Sequence, residues 1–148
     1  MKAGAAGAFL LIAGGVAKAD SYDKPVGKNA KIHTLVNRDN PSTLEKKHVP
    51  LVKAPKAVKK GQWFQVKVNV GFMIEHPSTP DHWIDRVELH IDGKKVSEAV
   101  NMAGGITSSN SCFEIRLHKP GDAKIEAVAN CNLHGTWLSE PVHIKVEG

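Results

Sequence analysis

From Gln62 to the C-terminus the chain repeats one pattern, short runs in which every second residue is apolar. Phe64, Val66, Val68 and Val70 alternate with Gln65, Lys67 and Asn69. Successive side chains of an extended strand point to opposite faces, so such a run has one buried and one wetted face. Val87, Leu89 and Ile91 flank Glu88 and His90 and end at Asp92-Gly93, a signal for a two-residue hairpin turn. Phe113, Ile115 and Leu117 alternate with Glu114, Arg116 and His118 before the turn residues Lys119-Pro120-Gly121-Asp122. Ile125, Ala127 and Ala129 make another run, and Val142, Ile144 and Val146 the last. Beyond the N-terminal apolar run, no segment carries a helical period. Short alternating strands bounded by Gly, Pro and Asp predict an all-β sandwich or barrel.

A length of 148 residues sets the expectation of one domain, and 41% hydrophobic residues are enough for an ordinary core. At the N-terminus Lys2 precedes an apolar run from Ala3 to Val16, too short to span a bilayer as a helix. Ala17-Lys18-Ala19 then gives the small-x-small pattern of a signal-peptidase site. Residues 1–19 are therefore expected to be a signal peptide cleaved after Ala19, with export to the periplasm or beyond and no stable membrane insertion afterwards. A retained amphiphilic tail or anchor is the alternative. Residues 20–44 are polar, carry Pro25, Gly27, Asn40 and Pro41, and read as an N-terminal arm ahead of a domain over 45–148.

The formal charge is +5, and much of it sits in Lys46, Lys47, Lys53, Lys56, Lys59 and Lys60. A basic stretch of this kind is either a solvated surface or a contact for nucleic acid, an anionic membrane or a small anion. No nucleic-acid motif is present and the few aromatics are not spaced as a stacking platform, so no nucleic-acid partner is expected.

The histidines carry the chemistry. His76-Pro77-Ser78-Thr79-Pro80-Asp81-His82 puts two imidazoles on a proline-stiffened loop between two predicted strands. Proline fixes φ, so ligand positions are preset instead of being ordered at binding. Cys131-Asn132-Leu133-His134-Gly135 places a thiol and an imidazole three apart after a strand, and His48 adds a nitrogen in Lys47-His48-Val49-Pro50. Imidazoles with one thiolate suit zinc, copper or iron. Cys112 and Cys131 could instead form one disulfide in an oxidising compartment.

These segments resemble the motif series of superoxide reductases, the desulfoferrodoxin and neelaredoxin family. The series runs through Glu45-Lys46-Lys47-His48-Val49-Pro50, Gly61-Gln62-Trp63-Phe64, the His76–His82 loop and Cys131-Asn132-Leu133-His134-Gly135-Thr136-Trp137, in the family's order. The resemblance extends from about Glu45 to the C-terminus. It implies an immunoglobulin-like antiparallel sandwich of about seven strands with a metal site on loops at one end. It implies one iron per chain with His48, His76, His82 and His134 as equatorial ligands and Cys131 as the axial thiolate. The position opposite the sulfur is left open for superoxide. Thiolate donation raises electron density on the iron and favours release of the reduced product. The implied reaction is one-electron reduction of superoxide to hydrogen peroxide.

Lys47 matches the family's lysine beside the open position, where a cation attracts superoxide and assists protonation. The family often has Glu-Lys-His, whereas this chain has Glu45 one residue further from His48, which puts a metal-closing role for Glu45 in doubt. No cysteine precedes Cys112, so the second, rubredoxin-like iron centre of the two-iron members is absent. Cys112 reads as a buried strand cysteine, and His33, His90, His118 and His143 as surface or face-lining residues. Two rivals share the fold class. A cupredoxin-like electron carrier would need a weak axial methionine after the second histidine, and Met73 and Met102 both lie too early. A non-catalytic exported carrier or adaptor would need no metal, and structural zinc would leave one of five ligands unused. An unidentified one-electron donor protein is required, and a homo-oligomer stays open.

Overall fold

The computed structural model describes residues 31–148. The expected signal peptide over 1–19 and the first part of the arm lie outside the described residues. In chain order the elements are β1 (Ile32–His33), α1 (Thr43–His48), β2 (Pro50–Lys53), β3 (Ala57–Lys59), β4 (Trp63–Val70), β5 (Ile84–Ile91), β6 (Lys94–Val100), β7 (Ser111–Arg116), β8 (Gly121–Cys131), β9 (Gly135–Leu138) and β10 (Val142–Glu147). They form a seven-stranded sheet, in which β8 pairs with β5, β9 and β10, and a three-stranded sheet ordered β2-β4-β7. The core lies between them, built by Val66 and Val68 from the small sheet and Val87, Leu89, Ile125, Ala127 and Ala129 from the large one.

The runs that alternate in sequence are β4, β5, β7, β8 and β10. In β4 the burial follows the period residue by residue, with Phe64, Val66, Val68 and Val70 inside. The Asp92-Gly93 signal closes the β5–β6 hairpin, and both residues have positive φ, 50° and 78°. That is the backbone twist a two-residue hairpin needs, and Asp and Gly tolerate it. The strands number more than the about seven expected because β1, β2 and β3 are two to four residues long, too short to display a period.

Three readings need correction. A helix is present after all. In α1, Glu45 N–H donates to Ser42 Oγ (3.2 Å) while Ser42 N–H donates to the Glu45 carboxylate (2.7 Å), a reciprocal capping box. Pro50 forbids continuation, so the helix ends at His48. Cys112 is exposed, not buried, because Phe113 and Ile115 occupy the inward parity of β7 and alternation sends Cys112 outward. His90 is buried on the outer face of the large sheet, where its Nε2 lies 2.9 Å from Glu88 Oε2. Arg86 also meets Glu88, and Lys124 meets Glu126, so the buried carboxylates of this face are paired. His118 and His143 are exposed, as expected.

Candidate metal centre

The motif residues reach one end of the sandwich from separate segments. His48 is the last residue of α1, His76 and His82 lie in the β4–β5 connection, Cys131 ends β8, and His134 sits in the β8–β9 turn. Ligand atoms of His48, His76, His82 and Cys131 all lie within 4.8 Å of one another. His134 joins them, its Nδ1 3.1 Å from His48 Nε2 and 3.5 Å from Cys131 Sγ.

The four imidazoles form a square. Ring centroids are 4.7 Å apart for His48–His76, 4.8 Å for His76–His82, 4.9 Å for His82–His134 and 4.8 Å for His134–His48. The His48–His82 diagonal is 6.3 Å. Neighbouring rings are steeply inclined, at 65–82°, whereas the diagonal pair is inclined by 25°. The rings therefore stand like the blades of a propeller around one axis, with the buried Cys131 sulfur close to the same point.

Hydrogen bonds decide which nitrogen of each ring faces that point. His48 Nδ1–H donates to Leu44 O (2.7 Å) and His76 Nδ1–H to Pro77 O (2.7 Å), leaving the Nε2 lone pairs directed inward. The Nε2 atoms of His76 and His82 are buried with no hydrogen-bond partner among the described residues. A buried lone pair without a partner is costly, and a metal ion would satisfy it. Burial lowers His48 and His76 to about 4, and the neighbouring imidazoles push in the same direction. His82 is lowered too, by burial first and then by His134. All three therefore present neutral, ligating nitrogens at neutral pH. Burial pushes the Cys131 thiol up, so metal binding must displace its proton. Four imidazoles and one thiol fit a mononuclear transition-metal site with more donors than tetrahedral zinc uses.

The frame around the square is stiff. Thr79 and His82 exchange backbone bonds (2.9 and 3.2 Å), closing a tight turn around Pro80 and Asp81. Asn132 staples this loop to the cysteine loop, donating to Asp81 O (2.8 Å) and accepting from Trp83 N–H (2.9 Å). Gly71, at φ +78°, lies so close that a Cβ there would stand 2.4 Å from the His76 backbone nitrogen. Two contacts escaped the sequence reading. Trp137 stacks on His48 (5.1 Å, 21°) and His33 stacks on Trp137 (4.6 Å, 26°), so β1 buttresses the site through a column of three rings. Trp137 was visible in the motif but its partner was not.

Lys47 lines an open cleft of about 740 Å³ together with His76, Lys53, Glu75 and Asn69. Among the described residues it forms no ion pair, and its charge is felt at both His48 and His82. Glu45 is engaged elsewhere. Its carboxylate accepts from Ser42 N–H and from Val36 N–H (2.7 Å each), and these bonds, with the Ser42 hydroxyl first, hold it down at about 2.

The two-sheet fold and its His/Cys square define a β-sandwich built around a metal site. The desulfoferrodoxin family profile matches residues 40–140. The superoxide reductase of Thermococcus kodakarensis is 36% identical over 103 residues, covering 64% of this chain and 84% of that protein. That of Pyrococcus horikoshii is 33% identical over 102 residues with the same coverage. The solved superoxide reductase (neelaredoxin) of Ignicoccus hospitalis superposes with a TM-score of 0.66 at 30% identity, covering 78% of this chain and 95% of that one. The chain belongs to the superoxide reductase, or desulfoferrodoxin, family, of the neelaredoxin-like kind. That membership sets aside the cupredoxin and carrier readings.

Proposed function

We propose that this superoxide reductase would hold one iron per chain through His48, His76, His82, His134 and the Cys131 thiolate, and would convert superoxide to hydrogen peroxide there. The observation that carries the reading is the square of four inward-facing imidazoles with a buried thiol beside its centre. Iron in that position, cycling between ferrous and ferric, would supply the one electron that superoxide takes up with two protons, and the thiolate would tune its potential.

The protein contributes placement and charge. Buried His48 and His76, held at about 4, stay neutral, so protons do not compete for their nitrogens above about pH 5. The Lys47 ammonium, unpaired and next to His48, draws the superoxide anion toward the site and can pass a proton through water. The Glu45 carboxylate is held in the helix cap by Ser42 and Val36 N–H and would not be free to ligate a metal in the square. The N-terminal sequence supports export to the periplasm with cleavage after Ala19, where an unidentified one-electron donor protein would serve the enzyme.

Metal analysis combined with a visible spectrum tests the reading. One iron per chain is expected, with a thiolate-to-iron absorption band in the oxidised protein that bleaches on reduction and returns on adding superoxide. A folded protein that takes up only zinc or copper would overturn it.

A further inference from the structure

We propose that Asn132 is a positioning residue of the metal centre, its side-chain amide setting the direction of the His82 ring. The inference rests on the iron-site reading above and adds a residue from outside the ligand set. A ligating imidazole is ordinarily held in its plane by a bond from its outward N–H. His48 has such a bond to Leu44 O and His76 to Pro77 O, both at 2.7 Å. His82 has none. Among the described residues neither of its ring nitrogens meets a hydrogen-bond partner. It is also less buried than His48 and His76. The direction of its ring therefore depends on the backbone that carries it.

Two residues hold that backbone. Thr79 meets the peptide groups of His82 itself, His82 N–H donating to Thr79 O (3.2 Å) and His82 O accepting from Thr79 N–H (2.9 Å). Asn132 meets the groups on either side. Its Nδ2 donates to Asp81 O (2.8 Å), its Oδ1 accepts from Trp83 N–H (2.9 Å), and its own N–H donates to Trp83 O (3.2 Å). The Thr79 bonds stay within the turn and shape it. The Asn132 bonds come from the residue next to Cys131, so they place His82 relative to the loop that carries the thiol.

The other end of the same loop has its own support. Ser78 Oγ donates to Thr107 O (2.8 Å) and accepts from Gly105 N–H (3.1 Å). Gly104 packs so tightly there that a Cβ would stand 2.0 Å from Thr79 O. The β6–β7 connection thus braces the end near His76, whose ring is also tied to Pro77 O, while Asn132 braces the end at His82. Removing the Asn132 amide leaves Asp81 O and Trp83 N–H without these partners. It should therefore loosen His82 and leave His76 in place, a selectivity that a general brace of the fold would not show.

Competition for cobalt(II) between the full chain and a chelating dye at neutral pH tests this selectivity. Asn132→Ala should weaken cobalt binding about 10- to 100-fold, as loss of a ligand's orienting partner ordinarily does. A double-mutant cycle then separates orientation of one ligand from general bracing. In a His76→Ala background the loss should persist, whereas in a His82→Ala background it should shrink to less than about threefold. Asn132→Ser, which still offers a hydroxyl to Trp83 N–H, should lose less, and it carries the same cycle where circular dichroism shows the alanine variant to be poorly folded. Equal losses in the two backgrounds would overturn the assignment. So would binding by Asn132→Ala within about twofold of the unsubstituted chain. An unsubstituted chain that takes up no cobalt would overturn the metal-site reading and this inference together.

Discussion

Lowering the pH of the metal-free protein from 8 to 5 should destabilise it by an amount the structure fixes. His48 and His76 are 1% and 3% exposed, and burial holds both at about 4 against an ordinary 6.5. The unfolded chain takes up these protons near pH 6.5 while the folded chain resists them until about pH 4. Stability is therefore complete above pH 7, and falls as pH drops through the window between those two values. At pH 5 an unfolded histidine is almost fully protonated and a folded one about one tenth, which amounts to about 2 kcal/mol per residue and about 4 kcal/mol for the pair. With a urea slope of about 1.5 kcal/mol/M, the unfolding midpoint should move down by 2–3 M between pH 8 and pH 5. Glu45, held at about 2, loses its contribution only below its ordinary 4.5 and so stays out of this window. Urea melts followed by far-ultraviolet circular dichroism at four pH values, for the protein and for His48→Gln with His76→Gln, make the measurement. The double variant should show a much shallower dependence over this range, with His82 left to contribute the remainder. Equal midpoints at pH 5 and 8 in the unsubstituted metal-free protein would refute the buried-neutral assignment.

Cys131→Ser should abolish the thiolate-to-iron absorption band while the fold, read by circular dichroism, survives; an unchanged spectrum would remove Cys131 from the axial position. Lys47→Ala should slow superoxide capture several-fold at about 10 mM ionic strength and much less near 0.5 M, because screening shortens from tens of ångströms to a few. Pulse radiolysis at the two salts measures this, and equal rates at both would take Lys47 out of the mechanism. Gly71→Ala should cost more than about 2 kcal/mol, since it forces a side chain into a positive-φ position with its Cβ 2.4 Å from the His76 backbone nitrogen. It should also weaken metal retention against a chelator, because His76 must move.

Where one face of a strand is buried and the other wet, burial is written directly into the alternation, and β4 shows this over its whole length. β8 was only half legible. Its inward residues Ile125, Ala127 and Ala129 stood out, but Glu126, Val128 and Asn130 are buried as well, and a strand covered on both faces loses the contrast that reveals it. The helix α1 spans six residues, less than two turns, and cannot show a period; its trace in the sequence was the Ser42-x-x-Glu45 spacing of a capping box. Cys112 was misplaced although its own strand gave the answer, because cysteine is usually a buried residue and parity was not applied to it. The site was more legible than the fold around it. Prolines and short spacings keep His76, His82, Cys131 and His134 on tight connections, so their convergence depends on local geometry. The stack of His33 on Trp137 depends on β1 lying parallel to β9, a long-range pairing of two residues that no local pattern records.

That column of three rings makes the protein its own optical gauge. Trp137 is 4% exposed and lies between a ring of β1 and a ring of the metal site, whereas Trp63 is open to solvent. Its indole emission should be blue-shifted relative to that of Trp63, and should be quenched when His48 is protonated or when a paramagnetic ion sits on the far side of that imidazole. Metal loading, acid titration and detachment of the N-terminal strand would each change the brightness of Trp137, which a Trp83→Phe background would isolate from the other indole beside the site.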